Sequence, residues 1–224
     1  GGLISGIATI VKKKRPGVKM IGVQAAHAPS AIAALKRREI VEVKTRPTLA
    51  DGIALRKVGE IPFPILKKYV DQIVAVREDE IASAILMLME RKRIVAEGAG
   101  AAPLAALLSK RAEIKPKRIV LVISGGNIDV HLLDRIIEKG LSQTGRMVRF
   151  EVTLRDVPGS LAELTHLVAR FHANILHIIH ERTAKEVPIG FSKVILVLET
   201  RGPDHIREIR NGLKAKRYSF GVLE

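Results

Sequence analysis

The sequence predicts an α/β chain in two parts, a layered domain over residues 1–144 and a smaller βαββαβ domain over 147–224. Two observations carry this. Through the first 144 residues, near-continuous Val/Ile runs alternate with longer helical patterns, the rhythm of a parallel-rich sheet covered on both faces. The pattern changes at Met147: from there to Leu154 apolar and polar residues alternate one by one, as they do in half-buried strands.

The first part opens with "GGLISGIATIVKKKRPG" (1–17), where two glycines feed a helix whose apolar set is Leu3, Ile7, Ile10 and Val11. Free N–H groups and the helix dipole favour an anion at such a start. "VKMIGVQ" (18–24), "DQIVAV" (71–76) and "RIVLVIS" (118–124) read as buried strands. Between them, "PSAIAALKRRE" (29–39), "REDEIASAILMLMERKR" (77–93, acidic in its first turn) and "AGAAPLAALLSK" (99–110) read as helices. No strand precedes Gly1, so the sheet is expected to be incomplete.

"EKGLSQTGR" (138–146) reads as the joint. "MVRFEVTL" (147–154) then puts Val148, Phe150, Val152 and Leu154 on one strand face. "RDVPGS" turns the chain, and Ser160 with Glu163 predicts a capping box for a helix with Leu161, Leu164, Val168 and Phe171 on one side. Strands at 175–183 and 191–200 follow, then a helix aligning Ile206, Ile209 and Leu213, and a closing strand at 218–224. The order βαββαβ is that of a ferredoxin-like split unit.

With 47% hydrophobic residues, the 224-residue chain can bury a sizeable core. No apolar run reaches the roughly 18 residues needed to span a bilayer, and no signal-peptide pattern is present. Absence of Cys excludes disulfides and thiolate metal sites. These features predict a cytoplasmic protein with no membrane partner. The net charge of +15 invites nucleic acid, but aromatic residues are 3% and Trp is absent, so the stacking platforms of a single-strand binder are missing. The runs "KKKR" (12–15), "KRRE" (36–39), "RKR" (91–93) and "KPKR" (115–118) fall at helix ends or between elements and read as solvated surface; no nucleic-acid partner is expected. His166, His172, His177 and His180 lie close in sequence, but their spacing on helix and strand spreads them over different faces, and no metal site is expected there.

Chemistry gathers at glycines. "EGAGAAPLAA" (97–106) sets small residues ahead of a helix, and "ISGGN" (123–127) ends a buried run in a glycine turn, where α/β sheets place their ligands. Together, "GGLISG", "ADGIAL" (50–55), "AEGAGAA" (96–102) and "SGGNID" (124–129) resemble the fold-type II pyridoxal-phosphate enzymes, in their threonine dehydratase (threonine ammonia-lyase) branch. "RFEVTLRDVPGSLAELTHLVARFHANILHIIHERT" is similar to the ACT regulatory domain. The resemblance covers nearly the whole chain. It implies an incomplete fold-type II (tryptophan synthase β-like) domain followed by a ferredoxin-like ACT domain.

The resemblance implies pyridoxal 5'-phosphate as cofactor, its phosphate held by the backbone of Gly1, Gly2 and Leu3, its pyridine nitrogen by Ser124, with Asp51, Gly52 and Glu97 near the pocket. It implies conversion of L-threonine to 2-oxobutanoate and ammonia, with L-serine to pyruvate as a second reaction. An amino-acid effector, isoleucine or valine, is implied at an ACT interface near Asp156, Pro158, Gly159, Ser160 and Asn174, and hence a homo-oligomer, dimer or tetramer. Positions that hold a cation in some relatives read Gln24, Ala28 and Ser30; both carboxylates are replaced, so no metal is expected. The family's Schiff-base lysine lies upstream of the glycine loop, where this chain has no residues, so no catalytic residue is assigned and this polypeptide alone is expected not to turn over substrate. The alternative is a non-catalytic amino-acid-binding regulator with a vestigial lyase half. A basic nucleic-acid-associated protein is the third reading.

Overall fold

The computed structural model describes residues 1–111, 118–183 and 186–223. It divides into two compact units, Gly1–Ile136 and Ile137–Glu224. Most of the basic stretch 115–118 lies outside the described residues.

The first unit runs α1 (Gly2–Lys14), β1 (Ile21–Ala25), α2 (Ser30–Arg37), α3 (Pro62–Tyr69), β2 (Gln72–Val76), α4 (Glu78–Lys92) and α5 (Gly98–Leu108). A short 3-10 turn, Asp51–Ile53, interrupts the long connection between α2 and α3. β1 and β2 pair in parallel, from Ile21 opposite Gln72 to Ala25 opposite Val76. Lys12–Lys14 close α1 where its dipole favours cations. The face that α1 buries is not the expected one. Ser5 and Ala8 are buried, whereas Leu3 and Ile10 are 62% and 57% exposed. The helix packs on α3, and the Ile4 side chain reaches β1, where its Cδ1 lies 3.0 Å from a Cβ built on Gly22. Ile4 joins Ala31, Ala34, Val58, Leu66 and Ile73 in one apolar cluster.

The expected strand at 118–124 does not form. Val120 and its neighbours are largely exposed and carry no ladder, because among the described residues the sheet of this unit consists of β1 and β2. An extended apolar run becomes a strand only when its N–H and C=O rows find a neighbour. α6 (Val130–Gln143) spans the division between the units and takes up most of the expected joint.

The second unit contains β3 (Met147–Arg155), α7 (Ser160–Arg170), β4 (Asn174–Glu181), β5 (Phe191–Glu199), α8 (Pro203–Ala215) and β6 (Ser219–Leu223). Its sheet is ordered β4-β5-β3-β6 with every pairing antiparallel, the split arrangement that βαββαβ order predicts. Val148, Phe150, Val152 and Leu154 of β3 and Val194, Leu196 and Leu198 of β5 pack with Leu164, Val168, Ile209 and Leu213 of the two helices. Phe150 and Phe220 meet edge to face at 5.9 Å. His205 is buried: its Nδ1 accepts the Arg201 N–H at 3.0 Å and its Nε2 lies 2.6 Å from the Phe171 carbonyl oxygen. A carbonyl only accepts, so the ring proton sits on Nε2.

The expected capping box is absent. Ser160 is the first helical residue of α7, and Gly159, at φ +93°, occupies the N-cap position, so no side chain caps this end. The glycine turn delivers the chain to the helix one residue earlier than the S-x-x-E pattern implies. Among the described residues, no helix is long and apolar enough to cross a membrane.

Candidate active site

Three segments of the first unit meet through their backbones. They are Thr48–Ile53, Glu97 with the first turn of α5, and Ser124–Gly126. A Cβ on Gly100 would lie 1.6 Å from the Ser124 carbonyl oxygen, and one on Gly98 would lie 2.0 Å from the Leu49 carbonyl oxygen. Only a residue without a Cβ permits these approaches. The glycines at the start of α5 are therefore packing devices that bring its N-terminus against both other segments.

Glu97 stands at the junction. Its N–H donates to the Gly125 carbonyl at 3.3 Å. Its carboxylate lies over Gly125, where a Cβ would be 2.4 Å from Oε1; Gly125 has φ +72°, a left-handed conformation that glycine adopts freely. The same oxygen is 3.5 Å from a Cβ built on Gly52. Asp51 Oδ1 accepts the Gly52 N–H at 2.8 Å and so fixes the turn locally. Gly52, Glu97 and Ser124, scattered over 73 residues of sequence, are thus brought to one place. Gly1 packs elsewhere, with a Cβ position 3.0 Å from Pro62 Cβ of α3 and 3.3 Å from Leu66. Gly2 has open space beside it, and Leu3 is exposed. In α1 the first helical hydrogen bond is Ser5 N–H to Gly1 O, at 3.1 Å, and no side chain caps the turn. The N–H groups of Gly2, Leu3 and Ile4 are therefore outside the helical ladder, the donor set that a phosphate takes.

Glu78 supports this site, and nothing in its local pattern marked it beyond an acidic first turn. Its carboxylate accepts the Thr48 hydroxyl at 2.7 Å and the Leu49 N–H at 2.6 Å. Partners 29 and 30 residues away leave no trace in a helical periodicity.

Gln24 and Ser30, where no metal is expected, form a cap for α2. Gln24 Oε1 accepts the N–H groups of Ala31 at 3.0 Å and Ile32 at 3.1 Å, and its Nε2 lies 3.4 Å from Ser30 Oγ. The amide caps α2, and its oxygen faces two N–H donors at the positive end of a helix. Among the described residues no group of three or more His, Asp or Glu side chains is placed to hold a metal ion.

In the second unit, Asp156 follows β3, pairs with Arg182 (Oδ1–Nε 3.0 Å) and donates its N–H to Gly190 O at 2.9 Å. Pro158, Gly159 and Ser160 complete that turn. Asn174 does not join them. It begins β4, lies opposite Glu199 in the ladder and donates to Glu199 Oε2 at 3.0 Å. Glu199 also pairs with Met147, whereas the Asp156 turn leaves the sheet beside Arg155 and Phe191. The two groups sit at opposite ends of β3, about 27 Å apart at 3.4 Å per residue.

The chain matches the family described as "Pyridoxal-phosphate dependent enzyme" over residues 1–125 and the ACT domain over 148–215. It is 52% identical over 223 residues to the L-threonine ammonia-lyase of Thermotoga maritima, covering 100% of this chain and 55% of that protein. It is 47% identical over 224 residues to the L-threonine ammonia-lyase of Geobacter sulfurreducens, covering 100% of this chain and 56% of that one. The crystal structure of a threonine deaminase from T.th. superposes with a TM-score of 0.55 at 39% identity, over 58% of this chain and 47% of that one. The chain spans about half the length of the curated relatives it matches.

Proposed function

We propose a function from one premise: this chain belongs to the pyridoxal-phosphate dependent enzyme family and carries an ACT domain. The protein converts L-threonine to 2-oxobutanoate and ammonia, and L-serine to pyruvate, in the cytoplasm. The observation that carries this reading is the meeting of Glu97, Gly125 and Gly52 beside Ser124, in a family whose enzymes use pyridoxal phosphate.

When bound, pyridoxal phosphate supplies the electron sink for loss of the α-proton and the β-hydroxyl. The residues of this chain bind and orient. The free N–H groups of Gly2 and Leu3 at the start of α1 hold a phosphate, helped by the positive helix end. The Ser124 hydroxyl would hold the pyridine nitrogen by a hydrogen bond, orienting the cofactor without adding a charge. Glu97 is held against Gly125 by its own N–H bond, which keeps its carboxylate beside the Ser124 rim.

The ACT unit binds an amino acid, isoleucine or valine. Asp156, Gly159 and Ser160 lie too far from Asn174 for one small molecule to touch both within one chain, which favours a site completed by a second copy and hence a homo-oligomer. The test uses the full-length protein loaded with pyridoxal phosphate. It should form 2-oxobutanoate from L-threonine, and isoleucine or valine should shift the saturation curve. Ser124→Ala should lower turnover about tenfold to a hundredfold, as expected for the loss of one orienting hydrogen bond. No oxobutanoate from the loaded wild type would overturn the reading, and near-normal rates in Ser124→Ala would remove that residue from it.

A further inference from the structure

We infer that Glu78 is a positioning residue: by gripping the Thr48–Leu49 loop, its carboxylate sets where Glu97 stands against Gly125. This rests on the cofactor-site reading above. Glu78 is the first residue of α4, where an acidic side chain ordinarily folds back on its own helix. Here that task belongs to Glu80, whose Oε2 accepts the Arg77 N–H at 2.7 Å. Glu78 reaches away instead. Oε1 accepts the Thr48 hydroxyl at 2.7 Å and Oε2 the Leu49 N–H at 2.6 Å. Thr48 Oγ1 in turn accepts the Ala50 N–H at 3.1 Å, so three consecutive residues are tied to one carboxylate.

His27 closes the arrangement. Its Nδ1 is 2.6 Å from the Pro47 carbonyl oxygen, which only accepts, so Nδ1 carries a proton and the loop is held on its other side too. The same nitrogen is 3.6 Å from Glu78 Oε1, and both side chains are only about a quarter exposed (26% and 27%). In that setting hydrogen bonds to a carboxylate are short and strong.

The hold is passed on through backbone. The Leu49 carbonyl is pressed against Gly98, the residue after Glu97, with 2.0 Å between its oxygen and a Cβ position on that glycine. Glu97 then bonds and covers Gly125. No long, flexible side chain intervenes between the Leu49 loop and Glu97, so displacement of the loop reaches the rim of the site.

The experiment is amide hydrogen exchange on the full chain, joined to pyridoxal-phosphate titration of the full-length protein. In Glu78→Ala, exchange should quicken about tenfold or more at Leu49 and at Glu97, while Val70, bonded to Leu66 O at the end of α3, keeps its rate. The cofactor Kd should rise by a similar factor. Glu78→Gln should rescue both readouts to within about threefold, since its amide accepts from Leu49 N–H and donates to Thr48 Oγ1. Should Glu78→Ala not fold, Thr48→Val keeps the Leu49 bond and should raise exchange at the same two amides by a smaller factor. An unchanged Glu97 amide overturns the inference, and so does equal acceleration at Val70, which would be general loosening. Failure of the wild type to bind pyridoxal phosphate would sink the function reading instead, leaving the exchange rates to decide the role of Glu78.

Discussion

Gly100→Ala adds a single methyl group to the interior of a helix, a change that in an exposed helix stabilises by roughly 1 kcal/mol. Here the sign reverses. The added carbon would stand 1.6 Å from the Ser124 carbonyl oxygen and 2.7 Å from the Ser124 carbonyl carbon. Both obstacles are backbone, so no side chain can swing aside. To reach even 3.0 Å from that oxygen, the Ser124 rim must retreat by about 1.4 Å. Overpacking of this kind costs about 1–3 kcal/mol, and it must also cancel the gain in propensity. With rigid backbone on both sides the cost lies at the upper end, about 3 kcal/mol, so the net expectation is a loss of about 2 kcal/mol and a fall in Tm of several degrees. The functional loss should be larger, because an ångström of misplacement at a reacting site costs on the order of a hundredfold in rate. Thermal unfolding and oxobutanoate formation by the full-length protein measure the two effects. Gly6→Ala in α1, where nothing lies within 4 Å of the added carbon, is the matched control and should be neutral or stabilising. If Gly100→Ala behaves like Gly6→Ala in both assays, the packing of α5 on the Ser124 rim is refuted.

The Asp71 carboxyl is held below the ordinary carboxylate range, first by Lys12 (2.7 Å) and next by the Met20 N–H (2.6 Å). Its folded pKa is depressed, so the stability it contributes is present above the unfolded value of about 3.9 and is lost as pH falls through the folded one. Asp71→Asn should therefore flatten the acid limb of a stability–pH curve, and an unaltered limb would count against the Lys12 pairing. His205→Leu leaves the Arg201 N–H and the Phe171 carbonyl without their partner inside the second unit. It should destabilise that unit by about 2 kcal/mol or more in denaturant unfolding, and a loss under about 0.5 kcal/mol would show that water replaces the ring.

The elements that could be read in advance were those whose pattern is local and whose burial is one-sided. β3 alternates residue by residue, and Val148, Phe150, Val152 and Leu154, expected inside, are inside. What failed depended on neighbours. Leu3 and Ile10 follow a helical period yet face outward, because the face of α1 that turns inward carries Ile4, Ser5 and Ala8. Residues 118–124 have the composition of a strand and lack a ladder. At the candidate site, Gly52, Glu97 and Ser124 were visible through glycine turns and family motifs. Glu78 was not, since its meaning lies in Thr48 and Leu49, far away in the chain. Nor was the use of Gln24 as a cap for α2, which required knowing that Ala31 and Ile32 offer their N–H groups to it.

If Asp156 and Asn174, at opposite ends of one sheet, both read the proposed effector, hearing is tied to company. A free amino acid is far shorter than the roughly 27 Å between them, so a ligand read by both must be shared between neighbours. Its apparent affinity would then depend on how much of the protein is present as well as on how much ligand is. Diluted below the dissociation constant of its own subunits, the protein would be deaf to the same concentration of amino acid that it answers when abundant. Abundance and metabolite would be weighed together, in a single binding event.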